Sequence, residues 1–283
     1  MQASPPQNVP IAEAIEENAQ ERINFSGELR MLSQRIPSAA CHLDRGIAVE
    51  SARALLEGAT AEFEQILAAL EFGDEDLNII MPETRRKSLA RIHELRALWG
   101  PFKAAADVVV AGTESEAAIN YLLNENLAVL SAAQLVVEEL VKQYSNPNAA
   151  TRASLMLIDI SGRQRMLTQK MSKETCTITG THHIAETLEA LGETARIFEA
   201  SLHALRFGMP SVGVGPPPTA EISAGLAGVL EDWDAVKPFA TEVLAGGDLD
   251  NDDHARKFMM LNITMSNMNT VVGMYTGAAR PNS

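Results

Sequence analysis

The sequence predicts an all-α fold of two tandem antiparallel four-helix bundles related by internal duplication, and three observations lead there. First, the stretch Ile158–Glu174, IDISGRQRMLTQKMSKE, has an imperfect earlier copy at Ile23–Ile36, INFSGELRMLSQRI. Second, apolar residues recur at alternating steps of three and four along much of the chain, the pattern of bundle-forming helices. Third, no segment has the alternation or β-branched density of a strand, and a chain rich in Ala, Leu and Met with only 5% aromatics suits helix packing. The two copies are offset by 135 residues, which sets Ser161, Gly162, Arg165, Met166, Leu167 and Gln169 on Ser26, Gly27, Arg30, Met31, Leu32 and Gln34. The register continues through Cys176 on Cys41, Phe198 on Phe63, Leu202 on Leu67, Leu205 on Leu70 and Phe207-Gly208 on Phe72-Gly73, and Trp233 falls on Trp99 with a one-residue slip. A chain of 283 residues is thereby read as two modules, each large enough to bury its own core.

Residues 1–9 read as a loose Pro-rich tail, the modules as 10–146 and 147–283. Pro10 suits the first turn of a helix, with Glu13, Glu16 and Glu17 near its positive end. That helix runs through the motif toward Cys41, and Pro37 is expected to kink or interrupt it. Phe63, Ile66, Leu67 and Leu70 form the stripe of a second helix ending near Gly73, and Ile92, Leu95, Trp99 and Phe102 that of a third. The fourth is read on Ile119, Leu123, Leu127, Leu130, Val137 and Val141. Ser145-Asn-Pro-Asn148 breaks the pattern and sets the module boundary. In the second module Leu188, Leu191, Ala195, Phe198, Leu202 and Leu205 make one seam, and Phe258, Leu261, Met265, Met268, Val272 and Tyr275 another. Gly213–Pro218 reads as a loop, and Asp248–Asp253 precedes the last helix.

A net charge of −14 argues against a general nucleic-acid or anionic-membrane binder, since either needs a basic face. No apolar run of 18 residues or more exists, so no membrane span is expected. There is no signal peptide either, though Met1 followed by QASPPQ looks like a start placed on a trimmed mature N-terminus, which leaves a removed signal or anchor open. No phosphate loop, His-Glu zinc helix or nucleophile elbow is present, so the expectation is a non-enzymatic protein without a cofactor.

On a helix, Gly27, Arg30, Met31 and Gln34 share one face, and Gly162, Arg165, Met166 and Gln169 do the same. A glycine inside a helix costs about 1 kcal/mol against alanine, so its repetition points to close approach by a backbone or ligand. An arginine on that face either snorkels outward or meets an anion. The second copy adds Arg163 and Lys170 with no acid from 160 to 173, a local positive site on an acidic chain. The pattern SG-x-x-RML-[ST]-Q-[RK] resembles the signature of the PilJ-type sensor domain, the N-terminal domain of type IV pili methyl-accepting chemotaxis transducers. It is also similar to the ligand-binding box of nitrate-sensing histidine kinases. The resemblance covers almost the whole chain, twice. It implies an extracytoplasmic, hence periplasmic, four-helix bundle sensing a small ligand. In the nitrate sensors an Arg of this box, contributed by two parallel first helices across a dimer, holds the anion. The matching positions here are Arg30 and Arg165, with Gly27 and Gly162 letting the helices close up. The pattern departs from itself where Glu28 stands opposite Arg163 and where Pro37 stands opposite Ser172, and the family's membrane anchors and signalling module are missing.

A bundle with an even number of helices returns the chain to its starting end. A short linker then allows the two first helices to lie side by side and parallel, with Arg30 and Arg165 clamping one anion; end-to-end stacking is the alternative. An Arg30–Arg165 separation beyond about 15 Å excludes the shared clamp. The plain alternative for both arginines is burial against helix-end carbonyls or a Glu, and for Ser26, Ser161, Gln34 and Gln169 it is packing hydrogen bonds. Cys41 and Cys176 are either two buried thiols, the reading slightly preferred, or, if the modules lie side by side, a disulfide. His182-His183 and the methionines at 259, 260, 265, 268 and 274 raise metal or haem handling as a weaker option. Asp248, Asp250, Asp252 and Asp253 superficially resemble a calcium loop but lack its Gly and Glu, and read better as a helix cap. The sequence is therefore read as a small-ligand sensor or binding protein, with an oxyanion such as nitrate or nitrite as the candidate ligand. The alternative is a helical module that docks a receptor or signalling protein, with a second copy of the chain as a further candidate partner.

Overall fold

The computed structural model describes residues 11–112, 115–144, 149–178, 184–247 and 249–279. They form eight α-helices: α1 Ile11–Asp44, α2 Val49–Phe72, α3 Arg86–Ala111, α4 Ser115–Tyr144, α5 Ala149–Ile178, α6 Ile184–Phe207, α7 Ala220–Leu244 and α8 Asn251–Ala278. The stripes read for the second and third helices are buried in full, and so is that of the last. Gly73 takes φ 85 as the C-cap of α2 and Gly112 takes φ 71 after α3, conformations that glycine reaches without Cβ strain. At the start of α8, Asp250 accepts a hydrogen bond from the Asp253 amide, with Asp252 and Asp253 in the first turn. These are the cap and first-turn acids that the sequence suggests. Asp248, the tail at 1–9, the boundary at 145–148 and His182-His183 lie outside the described residues.

Helices α1–α4 pack in a ring, α1 on α2 and α4, α3 on α2 and α4, and α5–α8 repeat it. The duplication extends to irregular structure. The bridge Asp74–Ile79 after α2 has its counterpart in Met209–Val214 after α6, 135 residues on, each with a positive-φ glycine just before it. The two bundles lie side by side, joined by α1 on α5. End-to-end stacking is not what the chain adopts.

Two expectations need correction. Pro37 lies inside α1 without interrupting it. The turn that follows is tied to α5 by a Ser38–Ser172 hydrogen bond of 2.8 Å and then by Cys41, so packing offsets the lost backbone bond. In α4 the buried stripe is Ile119, Leu122, Asn126, Val129, Ala133, Val136, Val137 and Leu140. Of the stripe read from the sequence, only Ile119 and Val137 are buried, and Leu127 is 56% exposed. Polar Asn126 holds a core position there, which an apolar pattern does not reveal.

Candidate functional site

The partners of α1 on α5 rise together along both helices: Asn24 meets Arg165, Arg35 meets Gln169, Ser38 meets Ser172 and Cys41 meets Cys176. The pair is therefore parallel. Its symmetry follows from the offset, because Asn24 and Asp159 are equivalent positions, as are Arg30 and Arg165. The Arg30 Nη2 is 2.7 Å from Asp159 Oδ1, and the Arg165 Nη2 donates to Asn24 Oδ1 at 3.0 Å and to its carbonyl at 3.1 Å. The Nη1 atoms also obey the offset: Arg30 donates to Gln134 Oε1 at 2.7 Å and Arg165 to Asn269 Oδ1 at 2.5 Å. An internal pseudo-twofold thus relates two arginines, each clasped by its own bundle's fourth helix and by the opposite bundle's first.

The glycines make room for these groups. A Cβ on Gly27 would sit 3.3 Å from Arg30 Nη2 and 3.6 Å from Arg165 Nη2, so the two nitrogens lie within about 7 Å of each other. A Cβ on Gly162 would meet the same two atoms at 3.4 and 3.7 Å. Both guanidiniums are 1% exposed and both Nε atoms are buried without a partner. Burial pulls both below the usual arginine pKa, opposed by Asp159 at Arg30 and by Glu28 at Arg165.

The compensation is unequal. Arg30 has a close carboxylate, whereas the nearest to Arg165 is Glu28 at 3.8 Å. The positive site read over 160–173 is modified by Asp159, one residue outside that window, which pairs with Arg30 and also, at 3.3 Å, with the half-exposed Arg163. Ser26 and Ser161 turn back to the carbonyls of Ile23 and Ile158. Met31 and Met166 lie in the core. Gln34 accepts from Lys173 at 3.0 Å and Gln169 from Arg35 at 3.4 Å. Cys41 and Cys176 form a disulfide rather than the pair of buried thiols slightly preferred from the sequence, with Cα atoms 6.3 Å apart. Side-by-side packing brings these equivalent residues onto the pseudo-axis.

Sequence reasoning missed Asp159, Asn24, Gln134 and Asn269. The 134/269 and 24/159 pairs are visible at the offset of 135, and the amides matched at 134 and 269 were the available signal. It also missed Glu62, whose carboxyl is pushed up to about 7 by burial and then by Glu28. Asn126 and Lys173, also missed, carry no motif.

The model of the PilJ family, described as the type IV pili methyl-accepting chemotaxis transducer N-terminal domain, matches residues 13–124 and again 151–256. The chain belongs to the PilJ family. The two matched segments fall one on each bundle, so this PilJ protein carries the domain twice. The family is one of sensory and signalling domains. The chain has no significant match among curated proteins. Among its described residues, no helix is long and apolar enough to cross a membrane.

Proposed function

We propose that this PilJ protein is a non-enzymatic, periplasmic sensor whose paired first helices recognise one small anion between Arg30 and Arg165, an oxyanion such as nitrate or nitrite. The observation that carries the reading is the juxtaposition of two buried guanidiniums over two glycines, with one close carboxylate between them. Burying like charges together is costly unless they meet anions, and planar guanidinium suits a planar oxyanion in bidentate geometry. Asp159 is the resident anion on Arg30, and Asn24 is its uncharged counterpart on Arg165. The Cys41–Cys176 disulfide supports an oxidising compartment.

A thermal-shift panel of nitrate, nitrite, sulfate and small carboxylates tests this on the full chain. At least one anion is expected to raise the melting temperature, and the rise is expected to vanish in Arg165→Ala. The readout is the ligand-dependent shift, because removing a buried charge costs about 3–5 kcal/mol by itself. A flat response to every anion favours the second reading, a helical module that docks a partner protein. In that reading Asp159 and the three amides hold the arginines for packing alone, and the 2.7 Å Arg30–Asp159 pair is the observation in its favour.

A further inference from the structure

We infer a second ligand site, in a cavity between α4, α5 and α6, that takes a small neutral α-amino acid. The cavity has a volume of about 230 Å³, under the roughly 300 Å³ at which drug-sized pockets begin. Lys173 lines it from within the fold: it is 8% exposed, and its ammonium donates to Asn126 Oδ1 at 2.7 Å and Gln34 Oε1 at 3.0 Å. Both acceptors are neutral, and one of the three ammonium donors is left over. Glu174, also in the lining, gives one carboxylate oxygen to Lys170 at 2.5 Å and to the Thr194 hydroxyl at 3.3 Å, while its other oxygen, Oε2, is buried without a partner. The lining thus offers a spare cationic donor and a spare anionic acceptor. A carboxylate answers the first and an ammonium the second, which together describe a zwitterion. Leu123, Leu127 and Ala190 supply an apolar wall for a short side chain, which accounts for two leucines set off the buried stripe of α4.

The duplication provides an internal control. At the offset of 135, Leu123, Asn126, Lys173, Glu174 and Thr177 correspond to Phe258, Leu261, Ser38, Ala39 and His42. In that half the space is closed: His42 stacks on Phe258 at 4.1 Å, and all five residues are buried. There α8 packs on α1, whereas the equivalent α4 and α5 meet through the Lys173–Asn126 bond. One copy has become ordinary core, and the other keeps a hollow lined by charge. Lys173 is held down to about 8 by burial, the direction a ligand carboxylate would reverse.

Isothermal titration of the full chain with glycine, L-alanine, L-serine and L-valine tests the assignment, with isovalerate and isobutylamine as the two halves of valine. The expected result is binding of at least one amino acid, with valine at least tenfold tighter than either half if valine binds. Lys173→Met and Glu174→Gln are expected to weaken binding at least tenfold. Leu123→Phe combined with Thr177→His, which copies the closed half, is expected to abolish binding while circular dichroism and melting remain those of a folded bundle. Absence of heat with all four amino acids overturns the inference. So does undiminished binding in the folded, filled variant, or valine halves that bind as tightly as valine itself.

Discussion

At the scale of single residues, the glycines are where a methyl group is most informative. Gly27→Ala gains roughly 1 kcal/mol of helix propensity but sets a Cβ 3.3 Å from the end of Arg30, a flexible tip that yields by a few tenths of an ångström. Stability is therefore expected to stay within about 1 kcal/mol of the original, while the anion-dependent thermal shift is lost. A fully retained shift places the anion elsewhere. Glu62 carries a pH signature. Its carboxyl is raised from 4.5 to about 7, so the stability it contributes is fully present below pH 4.5 and lost as pH rises through 7. His42, held down from 6.5 to about 4 by burial, acts in the opposite sense: its contribution is present above pH 6.5 and lost as pH falls through 4. Glu62→Gln removes the first effect and leaves the second. Its melting temperature is expected to rise with pH between 5 and 7 more steeply than that of the unmodified chain and to exceed it at pH 8. Parallel curves for the two proteins would show that Glu62 does not titrate there.

At the scale of elements, the α1–α5 pair is the joint of the molecule. Its disulfide closes a loop with a sequence separation of 135, and links of that length contribute about 2–5 kcal/mol, most simply by restricting the unfolded chain. The Cys41→Ser, Cys176→Ser double variant is expected to melt several degrees lower with its helix content unchanged. An identical melting curve would mean that the packing of α1 on α5 suffices alone. Element boundaries and seams were largely legible where the apolar period is unbroken, as from Phe258 to Tyr275. They misled on α4, because Asn126 is buried by satisfying the Lys173 ammonium, a tertiary exchange with no apolar signature. Of the candidate site, Arg30, Arg165 and the glycines stand out by repetition. Asp159 did not, since its main partner belongs to the other bundle and only folding brings them together.

At the scale of the whole molecule, the duplication builds within one chain an interface of the isologous kind that two copies make across a twofold axis. Each bundle contributes one arginine, one amide from its fourth helix and one first-helix acceptor for the opposite arginine. The proposed clamp, assembled this way, needs no second copy, so one anion per chain is its expected stoichiometry. The two halves differ in charge at the first-helix acceptor, Asn24 against Asp159, and in the proposed clamp Asp159 competes with the anion. Because Asn already occupies the equivalent place, Asp159→Asn is expected to fold. Calorimetric titration of nitrate into the unmodified chain and into Asp159→Asn therefore tests the anion clamp most directly. One nitrate per chain, bound at least tenfold more tightly by the variant, is the predicted result; no binding to either folded protein would contradict it.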